Sequence, residues 1–219
     1  LLFTLPDATN KCRVIGITSS VRGEGKSTTA INLSYALAAT GKRVLLIDGD
    51  LRLPTVAKKL KLGTKNKGLS DVLINPSLLK EALLAMPAME NWHVLTSGSI
   101  PPNPTELIAR PSLEKAIEEL KKHYDLILLD TAPIAMVTDT SLISRVADFG
   151  IYICRSDYTP KAAFQYINEW KQNTRLTLAT VINSIDLSQW KNKVHLNYGY
   201  KYGYGRNYGY GYEKKTGLH

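Results

Sequence analysis

Ser20-Val21-Arg22-Gly23-Glu24-Gly25-Lys26-Ser27 stands between an apolar run over 13–18 and a helical pattern over 27–39. A glycine-bearing turn in that position lets the backbone curl so that successive N–H groups face an anion, and the helix start adds its positive end. Gly-x-Gly-Lys-Ser-Thr is the pattern of a phosphate-binding loop. Gly23, Glu24 and Gly25 would cradle the phosphates, and Lys26 would neutralise the β- and γ-phosphates. Ser27 would offer a hydroxyl to magnesium, with Thr28 within reach of the α-phosphate. ATP or GTP is the implied ligand class. One departure is visible: the common pattern opens on glycine, and here that position is Ser20.

Outward from the loop, a strand over 43–47 bounded by Gly41 and Gly49 completes the start of a βαβ unit. The alternation resumes with a helix over 112–123, strands over 125–129 and 149–154, a helix over 160–172 and a strand over 177–183. Leu126-Ile127-Leu128-Leu129 is apolar without interruption, as in strands buried on both faces of a parallel sheet. The fold class is α/β and P-loop NTPase-like, a mostly parallel central sheet with helices on both faces. Between these parts the pattern predicts short helices around 54–62 and 69–85, a strand near 92–95, and a loop at Pro101-Pro102-Asn103-Pro104. After Asn183 the periodicity fades. Residues 1–190 read as the domain and 191–219 as a flexible Tyr/Gly-rich tail.

Two acidic sites follow strands, as a magnesium–nucleotide site requires. Asp130 ends the run 126–129, and Asp48 and Asp50 follow the strand 43–47. Each alone reads as a cap or turn residue; together with the loop they read as a set, with Ser27, Asp48, Asp50 and Asp130 the candidate metal-facing groups.

The chain of 219 residues, 44% hydrophobic and 21% charged, suits one globular domain able to bury a core without disulfides. Cys12 and Cys154 fall in or beside strands and read as reduced thiols; the four histidines share no metal-ligand spacing. No run approaches the roughly 18 consecutive apolar residues that cross a bilayer, so a soluble fragment is expected. The first residues, Leu1-Leu2-Phe3, look like the end of a helix cut from something longer. The net charge of +9 is uneven: Arg52, Lys58, Lys59, Lys61, Lys65 and Lys67 share a segment without an acidic residue. That segment reads equally as a solvated face or as a contact for an anionic partner.

Gly23-Glu24-Gly25-Lys26-Ser27, Asp48-Gly49-Asp50-Leu51-Arg52, Pro101-Pro102-Asn103-Pro104-Thr105-Glu106-Leu107 and Leu129-Asp130-Thr131-Ala132-Pro133 together resemble the bacterial tyrosine kinases that accompany capsule and exopolysaccharide export. The first, second and fourth look like that family's Walker A, A′ and B motifs, and the resemblance runs from about Arg13 through the tail. Arg22 and Ala132 depart from the family pattern, at positions not expected to contact magnesium. The resemblance implies ATP and magnesium as cofactors, with Asp48 orienting or deprotonating the acceptor hydroxyl and Asp50 and Asp130 holding the metal and its waters. The sequence alone allows Asp48 and Asp50 to exchange roles. Arg52 would pair with these carboxylates or aid transfer, and Asn183 would read adenine. The expected partners are other copies of the chain, a membrane-embedded export segment or activator and a tyrosine phosphatase, with no nucleic acid. The expected location is the cytoplasmic side of the cell membrane. The family's ring-assembly helix would precede Leu1. The related partitioning ATPases are an alternative, but their additional lysine falls at Val21 here.

Seven of the twelve tyrosines, Tyr198, Tyr200, Tyr202, Tyr204, Tyr208, Tyr210 and Tyr212, alternate with glycines near the C-terminus. Glycine removes side-chain obstruction and raises backbone freedom, so successive tyrosines could enter a catalytic cleft. From composition alone, an adhesive low-complexity segment or an aromatic and basic strip that stacks on single-stranded nucleic acid is an equal reading; the resemblance turns the segment into phosphoacceptors.

Overall fold

The computed structural model describes residues 11–63, 66–135, 145–173 and 176–186. A seven-stranded sheet runs through them in the order β3-β4-β2-β5-β1-β6-β7. Its strands are β1 (Arg13–Ser19), β2 (Val44–Asp48), β3 (Leu83–Met86), β4 (Met89–Leu95), β5 (Leu126–Asp130), β6 (Phe149–Arg155) and β7 (Thr177–Asn183). All pairings are parallel except the β3–β4 hairpin.

The central strands are apolar on both faces because both faces are covered. On β2, Leu45 and Ile47 join one buried cluster with Leu113 and Ile117 of α6 (Ser112–Lys121), whereas Val44 and Leu46 join another with Ala30 of α1 (Lys26–Ala38). β5 alternates in the same way, Ile127 and Leu129 against Leu126 and Leu128. Burying such a side chain contributes on the order of 1.5–3 kcal/mol, so a polar residue at any of these positions would be costly. Along α6 the buried positions Leu113, Ala116, Ile117 and Leu120 recur at helical spacing and face the sheet.

The region after β2 is built from short pieces: α2 (Val56–Lys59), α3 (Leu69–Ile74), a 3-10 turn at Pro76–Leu78 and α4 (Leu79–Ala82). The helix expected over 69–85 is therefore interrupted. Asn75 ends α3 in extended backbone and its side chain accepts from the Ser77 N–H, while Pro76 starts the next turn. Residues 83–85 belong to β3, where Leu83 pairs with Leu95 and Leu84 with Val94. The proline-rich loop also ends sooner than expected, since Pro104 opens α5 (Pro104–Ala109). The helix expected over 160–172 divides into a 3-10 turn at Lys161–Ala163 and α7 (Phe164–Asn173). Trp170 of α7 lies against β6 at Gly150, where a Cβ would come within 3.0 Å of its ring.

No helix among the described residues is long and apolar enough to cross a membrane. The tail tyrosines Tyr198 to Tyr212 lie outside the described residues.

Candidate functional site

Parallel pairing sets the site. β1, β2 and β5 are neighbours, and their register puts Asp48 beside Asp130 and Ile17 beside Asp130. The loop after β1 and the two aspartate-bearing strand ends therefore meet at one carboxyl edge, where ligands of open α/β sheets bind. A cavity of about 360 Å³ opens there, lined by Gly23, Gly25, Lys26, Ser27, Thr28 and Asp50 among others.

The two loop glycines are demanded by the backbone. Gly23 has φ of 85° and Gly25 of 96°, in the left-handed region. At Gly25 a Cβ would also fall 2.0 Å from Nδ2 of Asn183. Ser20, where glycine is usual, is fully buried and turns its hydroxyl to that of Tyr152. The serine is accommodated because it faces away from the cavity. Burial, more than any neighbour, pushes the Tyr152 phenol up to about 12.

Lys26 reaches across the cavity floor, its Nζ 3.4 Å from Oδ1 of Asp130 and 3.9 Å from Oδ2 of Asp50. Asp130 is fully buried, and burial raises its pKa against the opposing pull of Lys26. Its Oδ2 is buried without a hydrogen-bond partner. Ser27 Oγ accepts from the Thr55 hydroxyl at 2.9 Å. No group of three or more His, Cys, Asp or Glu among the described residues forms a ready metal cage. An unpartnered buried carboxylate oxygen and a serine hydroxyl under a phosphate loop fit magnesium, which takes one or two carboxylates and completes its shell with water and phosphate oxygens.

The two A′ aspartates differ in surroundings. Asp50 lines the cavity, and its Oδ1 accepts from the backbone N–H of Arg52 at 3.3 Å and of Leu53 at 3.0 Å. Asp48 is fully buried, with Oδ2 accepting from Thr55 and Val56 at the start of α2, at 3.2 and 3.0 Å. Burial first, and then the Asp130 carboxylate, push Asp48 up to about 7. Arg52 donates through Nη2 to Thr105 Oγ1 at 2.7 Å, tying the A′ segment to α5.

Asn183, at the end of β7, donates through Nδ2 to the Glu24 carbonyl at 2.9 Å, and its Oδ1 accepts from the Ser184 N–H. Its side chain thus braces the loop. Several cavity residues were not singled out as site residues in the sequence. Lys59, which donates to Thr28 Oγ1 at 3.0 Å, had a signal in the basic segment after β2. Pro133 closes the quoted motif 129–133 but was given no role there, and Thr55 and Leu53 had no signal, since nothing in their spacing marks them.

Comparison with known proteins adds four likenesses. A family profile described as an AAA domain, AAA_31, matches residues 12–165. The tyrosine-protein kinase CpsD of Streptococcus pneumoniae serotype 4 is 36% identical over 180 residues, covering 82% of this chain and 79% of that protein. The crystal structure of the chimerical protein CapA2B2 superposes with a TM-score of 0.75 at 35% identity, covering 82% of this chain and 78% of the other. The septum site-determining protein MinD of Pyrococcus horikoshii, solved with Mg-ADP, superposes at 0.65 with 27% identity over 78% of this chain and 70% of its own.

Proposed function

The chain belongs to the bacterial tyrosine kinases, and from that premise we propose that it phosphorylates the tyrosines of its own tail, between molecules, using ATP and magnesium. The observation that carries this reading is the convergence of Lys26, Asp50 and Asp130 at the mouth of a two-glycine phosphate loop.

Magnesium, when bound, supplies charge neutralisation between the transferring phosphates. The protein's own part is placement. The loop amides and Lys26 would orient the phosphates, and Ser27, Asp50 and Asp130 would hold the metal and its waters. A tyrosine hydroxyl has an unperturbed pKa of about 10 and must lose its proton as it attacks. Asp48 is the carboxylate proposed to orient or accept that proton, and its upward shift by burial supports a proton-accepting role near neutrality. Its present engagement with the α2 backbone means this role needs the segment 49–55 to adjust as substrate enters. Arg52, tied to Thr105, is proposed to pair with the carboxylates or aid transfer, and Asn183 to read adenine, for which its amide must leave the Glu24 carbonyl and the Ser184 N–H.

Tyr198, Tyr200, Tyr202, Tyr204, Tyr208, Tyr210 and Tyr212 are the proposed acceptors. The wider proposal is control of capsule or exopolysaccharide production at the cytoplasmic face of the cell membrane. There the chain would act with other copies of itself, a membrane-embedded activator and a phosphatase.

Incubation with magnesium and radiolabelled ATP tests the reading, comparing the full chain, Lys26→Met and a chain ending at Leu196. Label on tyrosine of the full chain, lost in Lys26→Met, is the expected result. Phosphate release without phosphotyrosine, under conditions that allow association, would instead support a switch ATPase of the MinD kind. Salt-sensitive nucleic-acid binding that requires the tail, without phosphotyrosine, would support a binding module.

A further inference from the structure

The phosphate loop is braced from one flank. Its carbonyls at Arg22, Gly23 and Glu24 accept hydrogen bonds from the Tyr158 hydroxyl at 2.9 Å, Arg155 Nη1 at 3.1 Å and Asn183 Nδ2 at 2.9 Å. The Glu24 side chain, fully buried, accepts from the Val21 N–H at 2.8 Å and from the Thr159 hydroxyl. At the loop's start Ser20 bonds to Tyr152 and to the Ala163 carbonyl. Every one of these partners outside the loop belongs to β6, to the connection over 156–163, or to the end of β7.

A trans peptide unit is planar, with its C=O and N–H pointing in opposite directions. Anchoring the carbonyls of Arg22, Gly23 and Glu24 outward therefore turns the N–H groups of Gly23, Glu24 and Gly25 the other way. These are the groups that a phosphate-binding loop presents to its anion. With two residues in the left-handed region, the loop has backbone freedom that it would otherwise lose only when ligand binds. The guanidinium of Arg155 also stacks over the Tyr158 ring, 4.9 Å from its centroid, so the two braces hold one another.

We propose that Arg155, Tyr158 and Thr159 are positioning residues that preset the phosphate loop for nucleotide, acting on affinity rather than on the transfer step. The inference rests on the nucleotide-binding reading of this loop. It adds to that reading a segment that carries no recognisable phosphate motif, and it makes the connection after β6 part of the binding machinery. Tyr158 is 49% exposed, so replacing its hydroxyl need not disturb the core.

The test uses the full chain with ADP and magnesium, measuring affinity by titration calorimetry for wild type, Tyr158→Phe, Arg155→Met, their double variant, Thr159→Val and Thr159→Ser. Amide exchange over 20–26 is followed in the nucleotide-free protein. Loss of one net hydrogen bond corresponds to about a 3–10-fold weaker affinity. The expected result is that weakening for Tyr158→Phe, Arg155→Met and Thr159→Val, a larger one for the double variant, and faster exchange confined to the loop. With ATP the loss falls more on KM than on kcat, and Thr159→Ser restores affinity because it keeps the hydroxyl. Wild-type affinity and exchange in the variants would overturn the proposal, as would faster exchange spread through the sheet or a fall in turnover at unchanged affinity. Failure of the wild type itself to bind ADP would overturn the nucleotide reading as well.

Discussion

Lys26 Nζ lies 3.4 Å from Oδ1 of Asp130, whose other carboxylate oxygen is buried without a partner. The ammonium offsets part of the cost of burying that carboxylate, whose pKa burial raises against the pull of Lys26. Lys26→Met should therefore lower the melting temperature of the nucleotide-free protein, and Asp130→Asn introduced with it should recover much of the loss. A double-mutant cycle from urea melts should give a coupling of about 1.5–3 kcal/mol, the scale of a charge-assisted bond. Additive effects would mean that the two groups do not support one another.

Asp48 and Asp50 can be separated by pairing stability with turnover. Asp48→Asn keeps an oxygen for the Thr55 and Val56 amides and removes the cost of burying a charge. It should leave the ligand-free protein as stable as wild type or more so, while tyrosine phosphorylation falls by about 10²–10⁴-fold if the carboxylate handles the proton. Asp50→Asn should act mainly on magnesium-dependent nucleotide affinity, since Asp50 lines the cavity. The reverse pattern would exchange their roles.

Most of the sheet was legible because β1, β2, β5 and β6 are buried runs and α1 and α6 are amphipathic or follow a glycine turn. β7 matched its expected bounds, 177–183. What escaped was set by tertiary pairing. Leu83-Leu84-Ala85 is as good a helix as a strand by composition, and only the partner β4 makes it β3. Pro104 looked like loop because three prolines surround Asn103, yet a proline suits the first turn of a helix. At the site, Lys26 could be read from the loop motif and Asp50 and Asp130 from their places after strands. The braces Arg155, Tyr158 and Thr159 could not, because their function depends on the position of β6 beside β1 rather than on any local pattern.

Tail phosphorylation should reverse the electrostatics of the chain. At about 1.5–2 negative charges per phosphate, seven tyrosines would add roughly −10 to −14, against a net +9. A peptide spanning 197–212, titrated against the chain ending at Leu196, should lose affinity on phosphorylation for the strand-end carboxylates Asp48, Asp50 and Asp130. Any binding it retains should be to the basic segment containing Lys58, Lys59 and Lys61, and should weaken steeply with salt. Equal affinities of the two peptides would sink this electrostatic release.

His93 should make the domain sensitive to mild acid. Its imidazole sits edge-on to Tyr124, with ring centroids 5.6 Å apart, and its Nδ1 is buried without a partner. Arg43, Glu90 and His123 line the same cavity of about 330 Å³, and Arg43 is paired with Asp125 at 2.7 Å. Burial lowers the His93 pKa from its ordinary 6.5. The unfolded chain therefore takes up a proton below 6.5 that the folded chain holds off, and stability falls as pH drops from 6.5 through the lower folded value. His93→Phe keeps the ring contact and removes the titration. Urea melts at steps from pH 7.5 to 5.5 should show a shallower loss of stability in His93→Phe than in wild type, and parallel pH profiles would assign the acid sensitivity elsewhere.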